Sequence, residues 1–135
     1  MTFEELNSKT VAIRAHKISY DFFDRTLELI VTPEYGIKDE VKGRKFSLHF
    51  EGCIFLSTKG LINHSESGVE FVSWGKFKDK NKTIELVSIP SSMQGIEDFG
   101  TKLGDDINNY YSYFFENAFG DNTYVTCSKV IVREL

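Results

Sequence analysis

A chain of 135 residues, 41% hydrophobic and 27% charged, is sized for one domain that buries a core without disulfide or metal staples. Its net charge of −4 disfavours a dedicated nucleic-acid binder, and two cysteines are too few for a disulfide framework. The apolar runs are too short to span a bilayer, and Met1-Thr2-Phe3-Glu4-Glu5-Leu6 is acidic where a signal peptide is basic, so a cytoplasmic protein with no membrane partner is expected.

Thr2, with Glu5 three residues on, forms a capping-box pattern that predicts a short N-terminal helix over 2–8 with Phe3 and Leu6 inward; a loosely docked arm is the other reading. From Thr10 the rhythm becomes two. Val11, Ile13 and Ala15 share one face, then Ile18 and Tyr20 the other, a phase shift that predicts a bulge near His16-Lys17. Asp21-Phe22-Phe23-Asp24 turns the chain into a second strand carrying Leu27, Leu29 and Val31, which Pro33 is expected to end.

Residues 33–44 read as a polar loop. Phe46, Leu48 and Phe50 then alternate with polar neighbours, Gly52 marks a bend, and Cys53 to Leu56 continue the strand. After a polar loop from Gly60 to Gly68, Val69, Phe71 and Ser73 alternate again. Lys76 to Lys82 is a basic turn of net +3, and Thr83 to Ile89 is expected to return as a strand closed by Pro90.

The stretch 91–122 carries two signals. Ile96, Phe99, Leu103, Ile107, Tyr111 and Phe114 follow helical spacing, but Gly95, Gly100 and Gly104 each cost a helix about 1 kcal/mol. Tyr110 to Phe115 has strand composition, so a loop to residue 107 and a strand after it is the favoured reading. Gly120-Asp121-Asn122 turns into a last strand over 123–134. About eight strands in consecutive hairpins predict an antiparallel β-sandwich or open barrel with a short N-terminal helix, in one domain over 1–135.

No catalytic or cofactor constellation stands out, and no cofactor or metal is expected. His16, His49 and His64 are widely spaced, and only His49 and Glu51 share a strand face. No Gly-x-Ser-x-Gly, Gly-x-Gly-x-x-Gly or P-loop occurs. Cys53 and Cys127 lie in apolar runs, as buried thiols do, although sequence leaves a bridge between them open. The basic turn suits contact with phosphate, or the blunting of a sheet edge. Trp74 beside it is a core residue, or a platform for a sugar or base.

Charge is unevenly spread. Residues 97–121 carry six acids and one base, so the remainder is close to neutral. Among these residues Glu97, Asp98, Asp105, Asp106, Tyr110, Tyr111, Tyr113 and Glu116 are the candidate partner-binding set: acids would steer a basic partner and aromatics would supply contact area.

The run Ala15-His16-Lys17-Ile18-Ser19-Tyr20-Asp21, then Arg25-Thr26-Leu27-Glu28-Leu29 and Phe46-Ser47-Leu48-His49-Phe50-Glu51-Gly52-Cys53, resembles small bacterial β-rich proteins, among them immunity proteins of polymorphic-toxin systems. Shared features are a histidine opening a strand, a tyrosine–aspartate turn, and a Leu-x-Phe-x-Gly/Asp strand. Lys17 departs from the aspartate that several of these proteins carry there. The resemblance covers about the first 55 residues. It implies a non-enzymatic inhibitor that masks a basic toxin or effector domain. A small-ligand or carbohydrate-binding β-domain is the alternative.

Overall fold

The two-residue rhythm from Ala12 onward folds as the sequence implies, one row of side chains inward and the other out. The computed structural model describes residues 1–35, 38–57, 59–61, 68–87 and 108–135. Among these, eight strands pair antiparallel in one sheet: β1 (Ala12–Asp21), β2 (Thr26–Tyr35), β3 (Phe46–Glu51), β4 (Phe55–Ser57), β5 (Val69–Lys76), β6 (Tyr111–Asn117), β7 (Asn122–Cys127) and β8 (Lys129–Glu134). Helix α1 (Phe3–Ser8) precedes β1, and helix α2 (Lys80–Val87) follows β5.

The strand order is β4-β7-β6-β5-β1-β2-β3-β8. β3 and β4 are two halves of one strand bent at Gly52, and β7 and β8 are halves of another bent at Ser128. β3 pairs with β8 and β4 with β7, so the two flanks of the sheet are the same two strands, and the ladder closes on itself. Ser128 N–H donates to the Glu51 carbonyl at 3.1 Å, and Ile54 N–H to Thr126 at 2.9 Å, which carries the pairing across the bend. Gly52 sits at φ +64, and a Cβ there would lie 2.4 Å from Ser128 Oγ. Of the two layouts the strand rhythm allows, the chain takes the barrel.

The interior is filled by Ile13, Leu27, Leu29, Val31, Phe46, Leu48, Phe50, Phe71, Phe115 and Val125, each at most 1% exposed. Fully burying one such side chain contributes on the order of 2 kcal/mol. The capping box forms: Thr2 Oγ1 accepts from Glu5 N–H at 3.1 Å, and Glu5 Oε2 accepts from Thr2 N–H at 3.2 Å. This short helix lays Phe3 against Trp74 and Tyr113, closing one end of the barrel. β1 and β6 both run antiparallel to β5, so the β1–β2 and β6–β7 turns both point toward the opposite end.

The bulge expected near His16 is present, as a register shift between Ala15 and Lys17. Four expectations are overturned. Thr83 to Val87 belongs to α2 and not to a return strand: Asp79 Oδ1 accepts from Asn81 N–H and its carbonyl from Lys82 N–H, opening a helix that buries Thr83, Leu86 and Val87 at helical spacing. Pro33 does not end β2, which runs to Tyr35; it lies past the residues that pair with β3. Val11 is exposed, because β1 begins one residue later. The final strand breaks into two at Ser128.

Candidate partner-binding surface

The β1–β2 turn presents the most exposed apolar pair among the described residues. Asp21 Oδ1 accepts from the backbone N–H groups of both Phe23 and Asp24 at 2.9 Å, an Asx turn that fixes the four residues from within. Arg25 closes it at φ 56, in the left-handed region, and its carbonyl accepts from Cys53 N–H at 2.9 Å. The tip is thus tied to the bend after β3. Held this way, Phe22 and Phe23 are 86% and 95% exposed. The Phe22 ring meets Tyr20 edge to face at 4.8 Å, so its position is set by a neighbour as well as by the backbone.

Two acidic side chains, Asp21 and Glu28, lie beside the Phe22 ring. Ser19, Glu28 and His49 form one outward cross-strand row, with Asp21 and Thr26 paired beside it. Together with Tyr20 and Phe22 they line an open groove of about 550 Å³. Glu28 accepts from Ser47 Oγ at 3.0 Å, and Glu51 lies 3.7 Å from His49 Nε2. Burial pushes the thiol of Cys53, whose N–H meets the Arg25 carbonyl, up to about 11, which keeps it a neutral packing group at ordinary pH.

The second turn at this end repeats the device. Asn117 Oδ1 accepts from Phe119 N–H at 2.9 Å and from Asp121 N–H at 3.0 Å, while its amide donates to the Gly60 carbonyl at 3.1 Å. Phe119 is 73% exposed. One end of the barrel therefore carries two side-chain-fixed turns, each with phenylalanine turned outward.

No family model, no curated protein and no solved structure matches this chain.

The structure places the acidic–aromatic set as follows. Glu97, Asp98, Asp105 and Asp106 lie outside the described residues. Tyr110 is half-buried and its carbonyl accepts from Lys80 Nζ at 2.7 Å. Tyr111 is half-buried, with the ammonium groups of Lys76 and Lys80 over its ring. Tyr113 is 4% exposed and packs on Phe3 and Phe50, so it is a core residue and offers no surface; alternation along β6 turns it inward. Glu116 is half-buried near Asn122 Nδ2. Tyr111 and Glu116 stand about 17 Å apart along the strand, at opposite ends of the barrel. Strand geometry spreads this set out.

Trp74 is likewise a core residue, stacked on Phe115 at 6.1 Å, which removes the platform imagined for a sugar or base. Both cysteines are buried and free. Among the described residues, no three or more His, Cys, Asp or Glu gather as metal ligands, and no helix is long and apolar enough to cross a membrane. Phe22 and Phe23 were missed in the sequence as site residues. The signal was there: two apolar residues inside a turn, between two aspartates, where polar residues prevail.

Proposed function

We propose that this protein is a non-catalytic binding domain that captures a basic protein partner through the Phe22–Phe23 tip, as an immunity-type inhibitor masks a toxin domain. The observation that carries it is two adjacent phenylalanines held almost fully exposed on a turn fixed by its own hydrogen bonds. Exposing such rings to water is unfavourable, and burying each in a partner removes roughly 150–250 Å² from solvent. Because the turn is rigid, little ordering entropy is lost on binding. Asp21 and Glu28 beside Phe22, with Asp24 next in the turn, outnumber Arg25 there and favour a basic partner over an anionic lipid surface.

The experiment pairs the wild-type chain with the F22S/F23S variant, coexpressed with a toxin-like product of the neighbouring gene. Wild-type protein should restore growth and form a one-to-one complex; the variant should keep its melting temperature and lose both. Equal protection by the two would overturn the role of the tip. So would self-association, or binding to anionic vesicles, that the double substitution abolishes. D105K/D106K is the parallel arm for the acidic stretch, and should slow association only if that stretch steers the encounter.

A further inference from the structure

At the other end of the barrel, a cleft of about 490 Å³ opens between α1, the end of β5 and α2. We propose that it is a binding site for a small phosphate monoester carried on a flat ring, with Lys76 and Lys80 holding the phosphate and Tyr111, Phe77 and Phe3 facing the ring.

The charge pattern is the first argument. Lys76 Nζ lies 4.0 Å and Lys80 Nζ 3.5 Å from the centroid of the Tyr111 ring, so two like charges converge on one side chain. Desolvation and then the nearby Lys76 charge lower the pKa of Lys80. Among the described residues, three lysines line the cleft with one acid, Glu4, which is 3.3 Å from Lys76. Lys80 directs its hydrogen bonds to the carbonyls of Asn108 and Tyr110, and no carboxylate pairs with it among the described residues. A bound anion would give Lys80 the opposite charge that the described residues do not. Among the described lining residues, three lysines less one acid leave +2, which matches a phosphate monoester near neutral pH, at roughly −1.5 to −2.

Shape is the second argument. The volume lies in the range of sites that enclose small ligands, about 300–1,000 Å³. Aromatic side chains form the walls, with Phe77 braced on Phe114 at a centroid distance of 5.0 Å. Asn7 and Thr83 add polar edges. A bare phosphate would leave the aromatic walls wet, and a neutral ring would leave the Lys80 ammonium without an anion. A ring bearing a phosphate satisfies both.

Titration calorimetry with adenosine 5′-monophosphate, phenyl phosphate, adenosine and inorganic phosphate tests this. The two ring phosphates should bind at least tenfold more tightly than adenosine or phosphate alone, more weakly as salt rises. Preference between them separates a nucleotide from a simple aryl phosphate. K76M and K80M should each weaken binding about tenfold, and K59A, beside the β6–β7 turn at the opposite end, should leave it unchanged. Since K80M also removes bonds to two carbonyls, E4Q supplies an independent arm: removing the lone acid should tighten binding several-fold without loss of fold. Affinities that are equal for adenosine and its monophosphate, or unmoved by K76M and E4Q, overturn the proposal.

Discussion

Phe50 on β3 and Phe115 on β6 meet edge to face with ring centroids 6.1 Å apart, although β5, β1 and β2 separate their strands within the sheet. Only a sheet that closes on itself brings them together. Both are fully buried, so Phe115→Ala leaves a cavity that strands β3, β5 and β6 share. The expected cost is about 3–5 kcal/mol, seen as a shift in the urea midpoint, whereas Phe119→Ala should stay within about 0.5 kcal/mol.

The start of β5 depends on a residue without a side chain. Gly68 sits at φ +102, and a Cβ there would fall 2.1 Å from the Ala15 carbonyl oxygen. Gly68→Ala should destabilise by about 2 kcal/mol or more, through both strain and the clash. Gly43, at φ +73, has nothing within 4 Å of its Cβ position, so Gly43→Ala carries the conformational penalty alone, about 1 kcal/mol. Thermal unfolding of the two variants side by side checks this order.

Alkaline pH should weaken the fold through its thiols. Burial raises Cys53 to about 11 and Cys127 further, from an ordinary 9.0. Below pH 9 the thiols are protonated in folded and unfolded chains alike, and stability is complete. Above it the unfolded chain releases protons that the fold retains, so stability declines as pH rises from 9 through 11. Urea midpoints across that range should fall, and less steeply for Cys53→Ala. Iodoacetamide should modify the native thiols at pH 8 far more slowly than the unfolded ones.

The hairpin tip hangs on one carboxylate oxygen. Asp21→Ala removes the acceptor for Phe23 and Asp24 N–H groups and should cost about 1 kcal/mol. Partner capture should fall by more than that loss of stability explains, since Phe22 and Phe23 are then free to wander. Asp21→Asn should restore the turn, because Asn117 does the same work at the β6–β7 turn. Association rates for the three proteins separate the two contributions: Asp21→Asn should recover geometry yet respond less to salt than wild type.

Elements whose cause is local were legible in the sequence. The capping box of Thr2 and Glu5, the bulge near His16, the alternation of Phe46, Leu48 and Phe50, and the bend at Gly52 each follow from a few adjacent residues. Helix α2 was hidden because Ile84 and Leu86 fit a two-residue rhythm as readily as Thr83, Leu86 and Val87 fit a helical one, and eight residues are too few to decide. Tertiary structure alone decided the rest. Closure of the barrel depends on β3 and β4 finding β8 and β7, pairs whose separation along the chain leaves no mark in any short window. Burial is settled by the same long-range pairing: it turns Tyr113 and Trp74 inward and leaves Phe22 and Phe23 in water, although all four are aromatic. Composition set how much apolar surface the chain must hide, and the pairing of distant strands chose which rings it left showing.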